Sequence, residues 1–438
     1  MASPKLTVLG WDAATFDIID PLIEAGQLPN LRRIFEAGSR GVLRSTMPPI
    51  TSQAWATAFT GVNAGRHGLW EFVERYGSGY RLRLVNGSFR RAPAVWDHLS
   101  AAGRRVGVVN VPFTWPASKV NGFMVSGFDA AGVELNMVHP ESAVKDLRRR
   151  FGAFELDHRP PLDDDGNIDT EEVRRAAEQK VKISLWLAER FDPELLIVVF
   201  MAVDHCSHYG WREWAQGGVE SRLAEVYRIL DEASGQLLDG LGSPGDVLVL
   251  SDHGSGSLDG VINLNAWFAQ EGFLRFAAGA GPRQGGEFAR SALFKVVEAR
   301  NRLPKGLRTF VKRRAPGLRD RLHELKEYTG IDWPNTKAFA YGYMGSVVLN
   351  VRGREQEGVV EPGEDYDQVC AEITARLLEL RDPESGERII TAVHRRDALF
   401  HGPEIEKVPD LIVEFAGDAW AGKANLRDRT PPDRKSVV

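Results

Sequence analysis

Three apolar segments of the chain each lead into an aspartate. Residues 6–11 precede Asp12, residues 198–203 precede Asp204, and residues 247–251 precede Asp252. Short continuous apolar runs rich in β-branched residues predict strands that are buried on both faces of a sheet. The carboxyl ends of parallel strands meet at one edge of such a sheet, and ligands bind there. The three carboxylates are therefore predicted to lie together at that edge.

Amphipathic segments alternate with the apolar runs along the chain. This alternation is typical of strands joined by crossover helices. We predict a doubly wound α/β fold with a mostly parallel central sheet and helices on both faces. The predicted strands are 6–9, 106–111, 195–203, 246–250, 338–341, 345–350 and 411–415, and the predicted helices are 94–102, 171–191, 219–241 and 365–380.

The composition limits the class of protein. The chain has 438 residues, which fits one large domain with insertions or two domains. Hydrophobic residues make up 43% of it and the net charge is −5, which excludes a wholly disordered chain and does not favour bulk binding of nucleic acid. Only two cysteines are present and no signal peptide or membrane-spanning stretch is evident, so a soluble cytoplasmic protein is expected.

Residues 274–333 differ in character from the rest. Between Arg290 and Lys326 there are 12 Lys or Arg against 3 Asp or Glu, with apolar residues at roughly helical spacing. We predict a basic helical insertion or cap at 274–333 in an α/β core formed by 1–273 and 334–432. A solvated helical hairpin is the simpler interpretation of this charge. A patch that attracts an anionic substrate or membrane surface is the alternative.

The last six residues, 433–438, are interpreted as a non-native tail. The peptide Asp-Arg-Lys-Ser-Val-Val can be encoded by a nucleotide sequence that resembles a common sequencing adapter. The hypothesis is that the natural C-terminus is missing from this sequence. Resequencing the source locus tests it, since an authentic stop codon after Val438 would refute it.

Histidines accompany two of the three aspartates. Asp204 and His208 form a DxxxH pattern, and Asp252 with His253 begins a DHG pattern. Three neighbouring carboxylates repel one another, so a cation is their natural counter-charge. Carboxylate oxygen together with imidazole nitrogen suits Zn²⁺ or another first-row divalent ion. A metal centre is therefore predicted at the sheet edge, although each aspartate alone could be a helix cap or a turn residue.

Thr51 is the candidate nucleophile. It follows the prolines of Pro48-Pro49 and precedes a predicted helix over 52–59 that Gly61 ends. The positive end of a helix dipole and its free N–H groups favour an alkoxide and a bound phosphoryl oxygen. A threonine hydroxyl also needs a metal or a base to lower its pKa. Without the metal cluster, Thr51 would be interpreted as an ordinary helix cap.

Along the chain come Asp12, then Thr51 with Thr60-Gly61 at the end of its helix, then the DxxxH and the DHG patterns. This ordered set resembles that of a known group. The group is the type I phosphodiesterase/nucleotide pyrophosphatase branch of the alkaline phosphatase superfamily, in particular its prokaryotic phosphohydrolase/phosphomutase members. The resemblance extends over roughly residues 5–415. It implies two divalent metal ions, Zn²⁺ or alternatively Mn²⁺. The ligands that it implies are Asp12, Thr51, Asp252 and His253 for one ion, and Asp204 and His208 for the other.

The second metal of this family takes a further histidine near the C-terminus. His394 and His401 are available here, but their surroundings do not match the glycine-flanked position that the family uses. The missing natural C-terminus is expected to carry this ligand.

The resemblance implies a metal-dependent phosphohydrolase of the phosphodiesterase/nucleotide pyrophosphatase type that forms a phospho-threonine on Thr51. A cofactor-independent phosphomutase and a phosphomonoesterase are the enzymatic alternatives. A non-catalytic relative that binds anions or membrane through 290–326 is the alternative from another class. The expected partner is a small phosphorylated substrate rather than duplex nucleic acid. The sequence does not determine the oligomeric state.

Overall fold

A computed structural model describes most of the chain. The described residues are 3–127, 135–152, 161–163, 165–242, 245–277, 328, 330–342, 344–417 and 420–424. Residues 278–327 of the predicted insertion and the predicted tail at 433–438 lie outside this set, so both stay predictions. The chain divides into two compact units, the first Met1–Phe72, Val85–Ser257 and Leu399–Val408, the second Val73–Leu84, Leu258–Ala398 and Pro409–Val438.

Strands and helices alternate through much of the described chain. The strands are β1 Leu6–Trp11, β2 Val73–Tyr76, β3 Arg81–Leu84, β4 Val106–Val109, β5 Gly122–Val125, β6 Val138–His139, β7 Leu195–Phe200, β8 Asp246–Leu250, β9 Gly260–Asn263, β10 Ala338–Tyr341, β11 Ser346–Leu349, β12 Ile390–Arg395, β13 Leu411–Phe415 and β14 Trp420–Lys423. The helices are α1 Phe16–Glu24, α2 Pro29–Ala37, α3 Thr51–Thr60, α4 Ala64–His67, α5 Val95–Ala101, α6 Ser142–Phe151, α7 Thr170–Phe191, α8 Ala202–Gly217, α9 Arg222–Gly240, α10 Leu264–Gln270, α11 Glu364–Leu378 and α12 Arg396–Leu399.

The first unit is built on a six-stranded sheet of order β6-β5-β4-β7-β1-β8. All pairs in it are parallel except β5 with β6. Both faces are covered. Leu9, Val198 and Phe200 face one apolar cluster with α1, α7 and α9, and Val8 and Val199 face another with α3 and α5. The predicted doubly wound α/β fold is confirmed.

The helices begin and end where local chemistry requires. The Asp169 side chain accepts a hydrogen bond from the N–H of Glu172 at the start of α7, and Ser221 caps α9 in the same way through Ala224. Gly61 ends α3 in the left-handed conformation with φ 69°, which glycine adopts without a Cβ clash.

The second unit is described by itself. It contains a four-stranded antiparallel sheet of order β10-β11-β13-β12, the hairpin β2-β3, and the parallel pair β14-β9. This unit contains a buried ion-pair network. Arg354 donates to both carboxylate oxygens of Asp410 at 2.7 and 2.6 Å, and the Leu349 N–H and the Tyr366 hydroxyl donate to the same carboxylate. Both oxygens of the buried Asp410 carboxylate therefore accept hydrogen bonds, which offset the cost of removing this charge from water.

The sequence predicted the core elements well and some of their ends wrongly. Strand 195–203 was predicted, but β7 ends at Phe200, and α8 begins at Ala202 with Met201 as its N-cap. Asp204 therefore lies in the first turn of a helix rather than at the end of a strand. No helix among the described residues combines the length and the hydropathy needed to cross a bilayer.

Candidate active site

Asp12 and Asp252 lie side by side because of the register between neighbouring strands. Gly10 of β1 pairs with Leu250 of β8, and each aspartate comes two residues after its paired position. The Asp12 N–H also bonds the Phe200 carbonyl of β7, which holds this end of β1 in the sheet. The sequence prediction that these two carboxylates share the sheet edge agrees with this register.

The carboxylates of Asp12 and Asp252 are buried, and one oxygen of each lacks a hydrogen bond among the described residues. Their side chains are 0% exposed. Asp12 Oδ1 and Asp252 Oδ2 have no hydrogen-bond partner among the described residues. Burial, and then repulsion from Asp252 and Asp204, raises the pKa of Asp12 well above its ordinary value. Burial likewise raises the pKa of Asp252 to about 6. Two unsatisfied buried carboxylates are costly unless a cation joins them.

His253 completes the cluster from the turn after β8. Its Nδ1 lies 2.8 Å from the Gly254 carbonyl oxygen, which only accepts, so Nδ1 carries the hydrogen. This leaves Nε2 directed at the carboxylates, 3.5 Å from Asp12 Oδ1 and 3.5 Å from Asp252 Oδ2. Burial lowers the pKa of His253, but the charges of Asp252 and Asp204 and the Gly254 carbonyl outweigh it and raise the pKa.

Asp12, Asp252 and His253 fit a divalent metal ion. Each offers one ligand atom, and these three atoms lie within 4.8 Å of one another. Two carboxylate oxygens and one imidazole nitrogen are the donor set that Zn²⁺ or Mn²⁺ accepts. The hydrogen bond from Nδ1 to a carbonyl is the usual support of a metal-binding histidine.

Thr51 lies at the beginning of α3 against this cluster. Its Oγ1 is 3.2 Å from His253 Nε2, and the residue is 5% exposed. The N-cap position is occupied by Ile50, which has no side-chain acceptor. The Thr51 hydroxyl is thus not used as a helix cap, and the N–H groups of the first turn stay available to an anion.

Trp55 is a site residue that the sequence prediction missed. Its indole Nε1 donates to Asp12 Oδ2 at 2.6 Å inside the core. Trp55 follows Thr51 by four residues in α3, and that spacing places both side chains on one face of the helix. The helical spacing in the sequence places Trp55 on the same face as Thr51, but it does not predict the contact with Asp12.

Asp204 and His208 are not part of the ligand group formed by Asp12, Asp252 and His253. Asp204 lies close enough for its charge to raise the pKa of Asp12 and Asp252. His208 Nε2 is 3.7 Å from Asp204 Oδ1, but its side chain is 71% exposed. Among the described residues these two form no three-membered ligand group of their own. Their predicted role in a second metal site stays a prediction.

The two candidate C-terminal histidines have other contacts. His394 Nε2 lies 2.6 Å from Glu414 Oε2 in the second unit. The His401 ring lies against the side-chain amide of Asn63, with Nδ1 3.1 Å from Asn63 Nδ2. The His401 contact lies within the first unit and does not involve Asp204 or His208.

Comparison with known proteins identifies the family. Residues 6–434 match the type I phosphodiesterase/nucleotide pyrophosphatase family. The chain belongs to this family. It is therefore a member of the alkaline phosphatase superfamily and a hydrolase that acts on phosphoric ester bonds. The family predicted from the order of Asp12, Thr51, DxxxH and DHG is confirmed. No curated protein matches the chain in sequence.

Two solved structures support the fold, and a third is less similar. Phosphonoacetate hydrolase from Sinorhizobium meliloti in complex with phosphonoacetate is 16% identical, with a TM-score of 0.54 over 98% of this chain and 84% of that chain. The same enzyme with phosphonoformate gives 15% identity and a TM-score of 0.53 over 98% and 89%. Murine ectonucleotide pyrophosphatase/phosphodiesterase 5, an inactive form in complex with AMP, is 13% identical, with a TM-score of 0.47 over 98% and 83%.

The raised pKa of Asp252 predicts that the metal-free protein loses stability as the pH rises. This pKa is about 6 in the folded state and about 4 in an unfolded chain. Between these values the folded state binds more protons, so the free energy of unfolding falls with increasing pH, by up to about 3 kcal/mol. The measurement is urea unfolding of chelator-treated protein, with Asp252→Asn as the variant that lacks this titration. A difference between the two proteins that does not change with pH would contradict the prediction.

Proposed function

We propose that this hydrolase is a metal-dependent phosphodiesterase of the nucleotide pyrophosphatase type, with Thr51 as its nucleophile. The observation that carries the proposal is the position of Thr51 Oγ1, 3.2 Å from His253 Nε2 at the uncapped beginning of α3. Membership of the type I phosphodiesterase/nucleotide pyrophosphatase family supports the reaction class.

Asp12, Asp252 and His253 would hold one divalent ion together with Thr51, and Asp204 with His208 would contribute to a second. Zn²⁺ suits this mixed oxygen and nitrogen donor set best, and Mn²⁺ is the alternative. Such ions, when bound, supply the positive charge that lowers the pKa of the threonine hydroxyl and stabilises the oxygens on phosphorus.

The chain's own residues would carry out a double displacement. Thr51 Oγ1 attacks phosphorus in line with the leaving group, so that a new bond from Oγ1 to phosphorus replaces the bond to the leaving oxygen. The N–H groups in the first turn of α3 bind a non-bridging phosphoryl oxygen, because they lack a cap and lie at the positive end of the helix dipole. Water then cleaves the phospho-threonine and restores the hydroxyl. Catalysis would come from positioning and electrostatic stabilisation.

The test of this function combines metal content with substrate preference. We expect the purified chain to bind Zn²⁺ or Mn²⁺ and to hydrolyse bis-p-nitrophenyl phosphate faster than p-nitrophenyl phosphate. The ligand group Asp12, Asp252 and His253 and the proposed nucleophile Thr51 all lie in the first unit, so at least one ion should bind.

The other results of this test are informative. A preference for the monoester would replace the diesterase by a phosphatase or a phosphomutase. Metal binding without turnover would indicate that the second ion lacks a ligand. A metal-free, inactive protein would refute the proposed use of the Asp12, Asp252 and His253 group.

A further inference from the structure

An indole donates a short hydrogen bond to a side chain of the candidate metal cluster. Trp55 Nε1 lies 2.6 Å from Asp12 Oδ2, and both residues are buried, Trp55 at 1% and Asp12 at 0% exposure. An indole N–H can only donate and a carboxylate can only accept, so the direction of this hydrogen bond is fixed. A hydrogen bond to a charged acceptor in a dry environment is among the strong ones.

The two oxygens of Asp12 consequently have different surroundings. Oδ2 accepts the indole N–H. Oδ1 has no hydrogen-bond partner among the described residues and is the oxygen that lies 3.5 Å from His253 Nε2. Burial and the neighbouring carboxylates raise the pKa of Asp12, whereas the Trp55 hydrogen bond lowers it and so favours the ionised form.

The local packing is shaped to hold this indole in place. A Cβ at Gly10 of β1 would lie 2.7 Å from Trp55 Cη2, so the strand can pass the ring only because residue 10 is glycine. The indole also stacks on Phe59 with 5.6 Å between ring centroids. Trp55 therefore connects the helix that begins at Thr51 with the residue that follows β1, Asp12.

We propose that Trp55 is a positioning residue of the metal site, which holds Asp12 by Oδ2 so that Oδ1 alone is presented to the cation. The inference rests on the proposed function, because it assigns to Asp12 a metal ion. It adds that one face of α3 supplies both the proposed nucleophile, Thr51, and the indole of Trp55, which orients the metal ligand Asp12. Such supporting partners commonly change metal affinity by about 10- to 100-fold when they are removed.

The test compares two tryptophan-to-phenylalanine variants. Trp55→Phe keeps a buried ring and removes the N–H. Trp96→Phe is the matched control, because Trp96 is 2% exposed, belongs to the same apolar cluster, and has an Nε1 without a hydrogen-bond partner in the described part of the chain. Affinity for Zn²⁺ and Mn²⁺ is measured by competition with a chromophoric chelator. The change in indole absorption on metal binding is recorded in parallel.

We expect Trp55→Phe to weaken metal binding by about 10- to 100-fold, to lose the metal-induced indole signal, and to recover most of its turnover at saturating metal. Trp96→Phe should keep both the affinity and the signal. Equal losses in the two variants, or an unchanged affinity in Trp55→Phe, would overturn the inference and leave the proposed function intact. Failure of the unaltered protein to bind metal would overturn both.

Discussion

Thr51→Ala is expected to abolish phosphodiester hydrolysis while leaving the metal content unchanged. The alanine removes the hydroxyl that lies 3.2 Å from His253 Nε2, but Asp12, Asp252 and His253 remain. Removing a nucleophile commonly costs roughly four orders of magnitude in kcat or more. The measurement is steady-state turnover of bis-p-nitrophenyl phosphate at saturating metal, together with metal analysis of the purified variant.

Two further variants make this result specific. Thr60→Ala has the same chemical change at the other end of α3, about 13 Å away at 1.5 Å per residue. There the hydroxyl donates to the Ala56 carbonyl and accepts from the Val62 N–H. It should keep its activity. Thr51→Ser keeps a hydroxyl and should retain measurable turnover. Substantial activity in Thr51→Ala would mean that water rather than threonine attacks phosphorus.

The carboxylate pair of the site could be predicted from the sequence for a physical reason. A buried strand in a parallel sheet has a recognisable apolar pattern, and its carboxyl end faces the ligand crevice. β1 and β8 follow this rule, so Asp12 and Asp252 come to the same edge. The position of Thr51, the proposed nucleophile, at the beginning of a helix could also be predicted, because Pro48-Pro49 and Gly61 limit that helix on both sides.

The apolar pattern failed where a buried strand runs directly into a buried helix. Residues 195–203 are apolar throughout, but the strand ends at Phe200 and the last residues enter α8. Periodicity cannot distinguish these two states in so short a run. The consequence is that Asp204 projects from a helix and that His208, one turn later, is largely exposed. The predicted ligands of the second metal, Asp204 and His208, thus lie on a helix, whereas Asp12 and Asp252 follow the ends of strands.

Trp55 illustrates a second limit of sequence reasoning. A tryptophan four residues after Thr51 is expected to be a core residue, and Trp55 is one. Its hydrogen bond to Asp12 depends on the separation of α3 and β1, which the glycine at position 10 sets. Such a contact follows from packing in three dimensions and has no counterpart in residue spacing alone.

Asp252→Asn is expected to destroy metal binding and activity but to stabilise the metal-free protein. The Asp252 carboxylate is fully buried, its Oδ2 has no hydrogen-bond partner in the described part of the chain, and burial raises its pKa to about 6. At neutral pH the fold must therefore hold an unfavourable negative charge next to Asp12. Asparagine removes that charge, and we expect about 2 to 3 kcal/mol more free energy of unfolding at pH 7. Urea unfolding of chelator-treated protein measures this gain.

The same substitution at Asp410 should have the opposite sign. Asp410 is also buried, but hydrogen bonds and charge from Arg354 outweigh the effect of burial and lower its pKa. Asp410→Asn breaks this ion pair and leaves Arg354 with Glu355 as its remaining carboxylate partner. Breaking a buried ion pair typically costs about 3 to 5 kcal/mol. A loss of stability in both variants would mean that Asp252 is held by contacts within the protein. Stabilisation of Asp252→Asn alone, reversed when Zn²⁺ is added to the unaltered protein, would identify the carboxylate as one that the fold keeps ready for a cation.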